Sequence, residues 1–584
     1  MEYSLNNKRR TWVWDCIFVI LLVAAFVFML WKCRYGFANM DEAFYLTIPY
    51  RLCQGDGLLG QEWHLSQLSG FLLYPVMKLY LIIAGGITDG LFLTFRYIYT
   101  CVQLVAAVFI YGRLRNIFAP AAAGASLCFM LYAPFGIMAL SYNSMGIQCL
   151  TISLIIMLTS KRARYFQYIV AGLFFAAAVL CCPYLILVYV VYFAAVIITA
   201  IVCRASGRKR AERSVFTVKS WLFFTIGAAI LAAVFGVFVL SRTGISQILA
   251  SLPSIMNDPS HESKGAIGLI VTYFTSVMSV SKAAVLCYAI EVAVAVIAAV
   301  DRKKNGRRAI YFAICALCTV VAVFYMVHYG NYINYVMYPI NIMAFACALI
   351  CWNDCMKRIL FTFWAPAMLY TLCMHASSNM EYYAISSGAT VAVVGSVMII
   401  GICGKEIFAV KGAAVKAAAA IGGIVIITGQ LATVGIMRYK AVFWGSMDIL
   451  LPYQQEAGLE KGLYIPEAAE EQCKLTQEIS DYIETNYPGE MNMAVLSDYT
   501  WLYLQCQEKK NASCSAWLAE VASLIGQNTM DKLKEYYKLN PDKIPDIVYM
   551  EKDYTDFLDD FQEVADYDVS VLELNDAYIL ERVG

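Results

Sequence analysis

Long apolar runs broken by short basic clusters fill the first three quarters of the chain. The tail after Lys440 has ordinary mixed polarity. Crossing a bilayer takes roughly 20 apolar residues per helix, and many windows reach that length. The pattern predicts a polytopic bundle of transmembrane helices. The first run, near Trp12 to Trp31, is too long for the apolar core of a signal peptide. No small-residue cleavage site follows it, so it reads as a retained anchor.

Lys and Arg beside the spans set the expected orientation. Basic clusters occur at Lys8 to Arg10, Arg113/Arg115, Lys161 to Arg164, Arg204 to Arg210, Arg302 to Arg308 and Lys357/Arg358. Placing all of them in the cytoplasm leaves the long segment 34–90 as the first external loop. The apolar stretch Leu68 to Gly86 would reverse every later cluster if it crossed. It therefore reads as a juxtamembrane or re-entrant helix. About thirteen spans of ~20 residues remain, with the N-terminus inside and the tail outside. The expected division is a membrane unit over 1–437 and an extracytoplasmic domain over 438–584, in a multi-pass protein of the cell membrane.

Within the tail, "YIPEAAEEQCKLTQEISDYIETNY" has helical periodicity, with Pro466 and a group of acids near its start. "MNMAVLSD", "PDIVYM" and "AYILERV" read as strands, and "DKLKEYYKLN" as a helix stopping before Pro541. Strands alternating with helices predict a small α/β domain. No glycine-rich phosphate loop follows a strand, so no nucleotide site is expected.

Composition agrees: 60% of residues are hydrophobic and 15% charged, against about 25% charged in soluble domains. The net charge of +1 hides an asymmetry, because 28 of the 43 acids but only 10 of the 44 bases follow Lys440. The membrane part is basic, the tail is acidic, and no nucleic-acid partner is expected. The twenty cysteines lie mostly in apolar runs and show no zinc-binding spacing.

Candidate chemistry gathers in "FANMDEAFYLTIPYRLCQGDGLLGQEWHLSQLSGFLLYP", Phe37 to Pro75. Asp41 and Glu42 stand together at the expected membrane edge, where an acid is costly unless it faces water or a partner. Asn39 and Glu42 also have capping-box spacing, so the pair doubles as a helix start. Glu62, His64 and Gln67 follow in the same loop. Tyr142 and Asn143 in "ALSYNSMG", Asn331 and Tyr332 in "HYGNYINYVMYP", and Ser378 and Asn379 in "MHASSNMEYY" fall at the same expected face. Tyr and Asn suit sugars, joining flat apolar faces to hydrogen bonds, and they are also ordinary interface and turn residues.

The acidic pair, Ala-Phe-Tyr, an interfacial helix, "QGDGLLGQEWHLSQ" and an apolar helix ending at "GGITDGLFLTFRYIY" together resemble the first external loop of GT-C fold glycosyltransferases. The resemblance is to the family 39 group related to protein O-mannosyltransferases and the aminoarabinose transferase of lipid A. It is strongest over Asn39 to Arg115. It implies a GT-C bundle that moves a monosaccharide from a polyprenyl-phosphate donor to an external acceptor, with an acid of the pair as base. Asp41 is the candidate base. Glu42 would tune it, or bind a divalent cation such as Mg or Mn if one takes part; no residue is assigned to a metal. Arg96 is the candidate partner of the donor phosphate. Some relatives carry a lysine beside prolines where this chain has "LSQLSGF", and His64 and Gln67 are the candidates in its place.

Two other classes compete. A transporter or flippase would need more ionisable residues at mid-membrane depth than Glu291 in "CYAIEVAVAV". A surface-polysaccharide polymerase or ligase would centre its chemistry on a later, larger external loop.

Overall fold

The computed structural model describes the whole chain except residues 1, 38, 161–163, 207–214, 257–264, 301–306, 330–334, 379, 409–412, 443–444, 447–452, 517–526 and 584. Most described residues are helical. Among the described residues, ten helices are long and apolar enough to cross a membrane. They include α1 (Glu2–Lys32), α4 (Leu91–Leu131), α5 (Tyr142–Thr159), α8 (Val218–Leu240), α11 (Lys282–Val300), α16 (Glu381–Phe408) and α17 (Ala413–Lys440). Their lipid-facing sides expose large apolar residues, such as Val19, Ile20, Val237 and Ile297. The chain is an integral membrane protein by this length and composition.

The 41 residues of α4 would span ~60 Å, twice the bilayer core. The helix breaks at Phe118 (φ −159°, ψ 100°), two residues before Pro120, which has no N–H to donate. Gln103 Nε2 donates to the Phe129 and Tyr132 carbonyls, both at 3.0 Å, so α4 folds back as a hairpin. The ten candidates, with the doubled-back α4 counted once, fall short of the thirteen expected spans; shorter apolar helices such as α6 (Tyr165–Cys181) and α13 (Pro339–Ile350) lie outside that length criterion. Helix α3 (Gly70–Ile83), in the stretch read as non-crossing, covers ~21 Å. That is short of the ~30 Å apolar thickness.

Helix α16 runs through the middle of the bundle with its apolar core wholly buried. Glu291, on α11, is buried and accepts a hydrogen bond from Thr319 Oγ1 at 2.8 Å. Helices α6 and α8 touch through their backbones. A Cβ on Gly172 would meet Phe224 O at 1.9 Å, and one on Gly227 would meet Ile169 O at 1.9 Å.

The tail forms a five-stranded mixed sheet. In chain order its strands are β1 (Met491–Leu496), β2 (Lys509–Asn511), β3 (Ile547–Met550), β4 (Tyr567–Leu572) and β5 (Ala577–Arg582). The spatial order is β2-β1-β3-β5-β4, parallel over the first three strands and antiparallel over the rest. β2 and β4 lack a strong sequence signal: β2 is three residues long, and four central residues of β4 are exposed. Helix Glu467–Asn486 starts after Pro466, and helix Gln527–Leu539 ends before Pro541, as their sequences predict.

Tail and first loop are stitched together by backbone. Tyr464 N donates to Arg34 O at 2.6 Å, and Gly36 N to Tyr464 O at 2.8 Å. Gly90 N donates to Gly458 O at 2.8 Å, and Thr88 Oγ1 to Leu504 O at 3.0 Å. Phe37 packs edge-on against Trp501, with ring centroids 5.4 Å apart.

Candidate functional site

Helix α2 (Asn39–Gln54) begins at the acidic pair, and carboxylates suit a helix N-terminus. The side chain of Asn39 lies outside the described set. Glu42 is fully buried. Arg96, in the second turn of α4, donates Nε to Glu42 Oε1 at 2.6 Å and Nη2 to Oε2 at 2.5 Å. Its Nη1 donates to Cys33 O at 2.8 Å. This bidentate pair fixes the start of α2 to the ends of α1 and α4.

Asp41 is partly exposed. Tyr45, one turn on, points its hydroxyl at Asp41 Oδ1 from 3.5 Å. Asn143 lies near the same hydroxyl. The Tyr142 ring meets the Tyr45 ring edge-on at 5.7 Å. Burial, then the Asp41 charge, push the Tyr45 hydroxyl well above its ordinary range, so it remains a donor. Tyr142 and Asn143 open α5, whose start is fixed by a capping box between Ser141 and Ser144. Asp41, Tyr142 and Asn143, far apart in sequence, thus share one site, and Tyr45 joins them.

The other candidates of the first loop make contacts within the loop and to the tail. Arg51 is buried and binds Asp56 Oδ2 at 2.8 Å, Glu62 Oε2 at 2.7 Å and Gln61 O at 2.6 Å. Lys543 of the tail reaches Asp56 Oδ1 at 2.5 Å. Glu62 therefore sits in an ion-pair network between loop and tail. His64 Nδ1 accepts from Ser66 N at 3.0 Å, and its ring stands edge-on to Phe44 at 4.5 Å. Gln67 Oε1 accepts from Leu59 N at 2.6 Å. Ser378, between α15 (Ala365–Ala376) and α16, accepts from Met380 N at 3.1 Å. The contacts of the described residues do not bring Ser378 to Asp41. Asn331, Tyr332 and Asn379 lie outside the described residues.

Sequence reasoning missed three features of this end of the bundle. Lys32, last in α1, and Arg438, in the last turn of α17, are both buried beside Arg96. Glu460, in the tail's turn over Gly90, is buried, and burial followed by the Glu42 and Asp89 charges raises its carboxyl to about 7. A cavity of about 390 Å³ lies between Asp56, Gln61 and the tail residues Asn492, Lys510, Asp542 and Lys543. It follows the loop–tail seam and is not lined by Asp41.

No protein-family model and no curated protein matches the chain. Among solved structures, the chain is similar to the crystal structure of ArnT from Cupriavidus metallidurans bound to undecaprenyl phosphate. The two are 12% identical with a TM-score of 0.45, and 98% of each chain is covered.

Proposed function

We propose that the chain is an inverting membrane glycosyltransferase that uses a polyprenyl-phosphate-linked monosaccharide as donor. The acceptor is an extracytoplasmic hydroxyl on a cell-envelope glycan, lipid or protein. The observation that carries this reading is the division of labour within the acidic pair. Arg96 occupies both oxygens of Glu42. Asp41, its neighbour, stays partly exposed beside Tyr45, Tyr142 and Asn143.

Asp41 accepts the proton of the incoming hydroxyl. The freed oxygen attacks the anomeric carbon, and the bond from that carbon to the phosphate oxygen breaks. Polyprenyl phosphate leaves with the electron pair. Tyr45 steadies the Asp41 carboxylate, and the Tyr142 and Asn143 side chains offer a face and a polar edge to a sugar. Glu42 positions the helix that carries the base. A divalent cation fits these residues poorly. Arg96 already fills both Glu42 oxygens, and no three His, Cys, Asp or Glu side chains converge among the described residues. No step is assigned to a metal.

The test is sugar transfer by purified, lipid-reconstituted protein, offered a panel of polyprenyl-phosphate sugars with a mixed acceptor extract. Release of polyprenyl phosphate by wild type and not by Asp41→Asn supports the reading. Equal release by both proteins overturns it.

A further inference from the structure

The ends of α1, α4 and α17 meet beside the Glu42–Arg96 pair. Trp31 and Tyr439 stack across α1 and α17 at 6.3 Å, and both rings are more than a third exposed. Large aromatic rings of this kind favour the depth of lipid headgroups. Immediately inward, Lys32 is 1% exposed. Its Nζ has no hydrogen-bond partner among the described residues. Its charged neighbours are the guanidinium groups of Arg438 and Arg96. Arg96 is already matched by Glu42. Arg438 donates to the neutral Gly136 carbonyl at 2.9 Å.

A buried ammonium that meets only like charges is costly. Three cations gathered where headgroups lie, with one orphaned, make a site for a missing anion. The Tyr99 hydroxyl and Gln103 amide nearby are committed to the Tyr132 carbonyl, at 2.9 and 3.0 Å. These two neutral donors are therefore already used, and Lys32 Nζ is the donor beside them that lacks a partner among the described residues.

We infer that Lys32 and Arg438 form a seat for a phosphate group, at headgroup depth, between the ends of α1 and α17. A phosphate oxygen would accept from Lys32 Nζ and sit within reach of the Arg438 fork, which matches phosphate geometry. Arg96 stays with Glu42. The phosphate arrives either on a lipid or free in solution, and both sources present the same chemistry. The inference deepens the proposed function, because a polyprenyl phosphate is one such lipid. It is tested by binding, which does not depend on turnover.

The experiment measures thermal unfolding of the detergent-purified full chain against three titrants. These are a short-chain polyprenyl phosphate, the matching polyprenol, and inorganic phosphate. Wild type, Lys32→Met and Lys32→Arg are compared. Wild type should be stabilised by polyprenyl phosphate and not by polyprenol. Stabilisation by inorganic phosphate at similar concentrations would identify free phosphate as the source. Lys32→Met should bind about 10- to 100-fold more weakly, as expected for losing one hydrogen bond between charged groups. Lys32→Arg should bind within about threefold of wild type, since it keeps the charge-assisted bond. Lys32→Met should unfold no earlier than wild type without ligand, because the orphan charge is gone. Equal binding by Lys32→Met and wild type, or no stabilisation of wild type by either phosphate, overturns the seat. A working seat with no sugar transfer would leave the seat standing and sink the enzymatic reading alone.

Discussion

Arg96 grips both oxygens of Glu42, 54 residues earlier in the chain, from 2.6 and 2.5 Å. Asp41, the residue just before it, takes no part in that grip. Adjacent acids should therefore fail differently. Glu42→Gln leaves a buried guanidinium without its counter-charge and should cost about 3–5 kcal/mol of stability. Asp41→Asn should leave the melting temperature nearly unchanged and lower transfer by about 10²- to 10⁴-fold. Thermal melts and donor turnover of both variants check this. A melting temperature unchanged in Glu42→Gln would refute the structural role.

Tyr45→Phe removes one hydroxyl from Asp41 and keeps the ring that packs on Tyr142. It should lower turnover about tenfold, the worth of one hydrogen bond, with little change in folding. Steady-state kinetics beside a melt would show it. An unaffected turnover number would mean that the Tyr45 hydroxyl does not steady the base.

The sequence made some of this site legible and hid the rest for a physical reason. Basic clusters beside apolar runs placed Asp41, Tyr142 and Asn143 on one face, and the structure joins those three. The same reading marked Leu68 to Gly86 as non-crossing, and the structure places α3 among the shorter apolar helices, as it does α6 and α13. Glu62 and Gln67 read as candidate ligands because spacing alone does not show the loop folding back to bring Arg51 and the Leu59 N–H onto them. Lys543, nearly five hundred residues away, completes the buried network through Asp56 and could not be foreseen locally. Lys32 and Arg438 read as ordinary flanking charges at span ends. Only their convergence beside Arg96 distinguishes them.

Arg51→Met should strand Asp56 and Glu62 as buried carboxylates and cost about 3–5 kcal/mol. Hydrogen exchange should speed up over residues 51–67 and 509–515 together, because Lys543 Nζ also donates to the Asn511 carbonyl at 3.2 Å and Trp63 N to the Cys514 carbonyl at 2.8 Å. Faster exchange in the loop alone would mean that the tail does not depend on it.

Glu460 gives the loop–tail contact a pH dependence. Burial holds its carboxyl at about 7, against an ordinary 4.5. Between those values the folded protein keeps a proton that the unfolded chain has lost. Stability should therefore fall as pH rises from 4.5 to 7, by about 3 kcal/mol in total, and then level off. Glu460→Gln should flatten this slope. Melts from pH 5 to 8 on both proteins decide it, and parallel slopes would remove Glu460 as the source.

Gly227→Ala places a methyl where the Ile169 carbonyl lies. The close crossing of α6 and α8 depends on this missing side chain, as small residues commonly allow in membrane bundles. The variant should melt several degrees lower and yield less folded protein. A wild-type melt would show that the helices separate at little cost.

The stitching of Tyr464 between Arg34 and Gly36 sets an order of assembly. Residues 34–90 emerge from the ribosome long before 453–511, the stretch that fixes them. A nascent chain carrying all its spans would still lack the clamp on this loop. On the proposed function, transfer would wait until synthesis is nearly finished and the tail has docked, and a product truncated before the tail would occupy the membrane without acting.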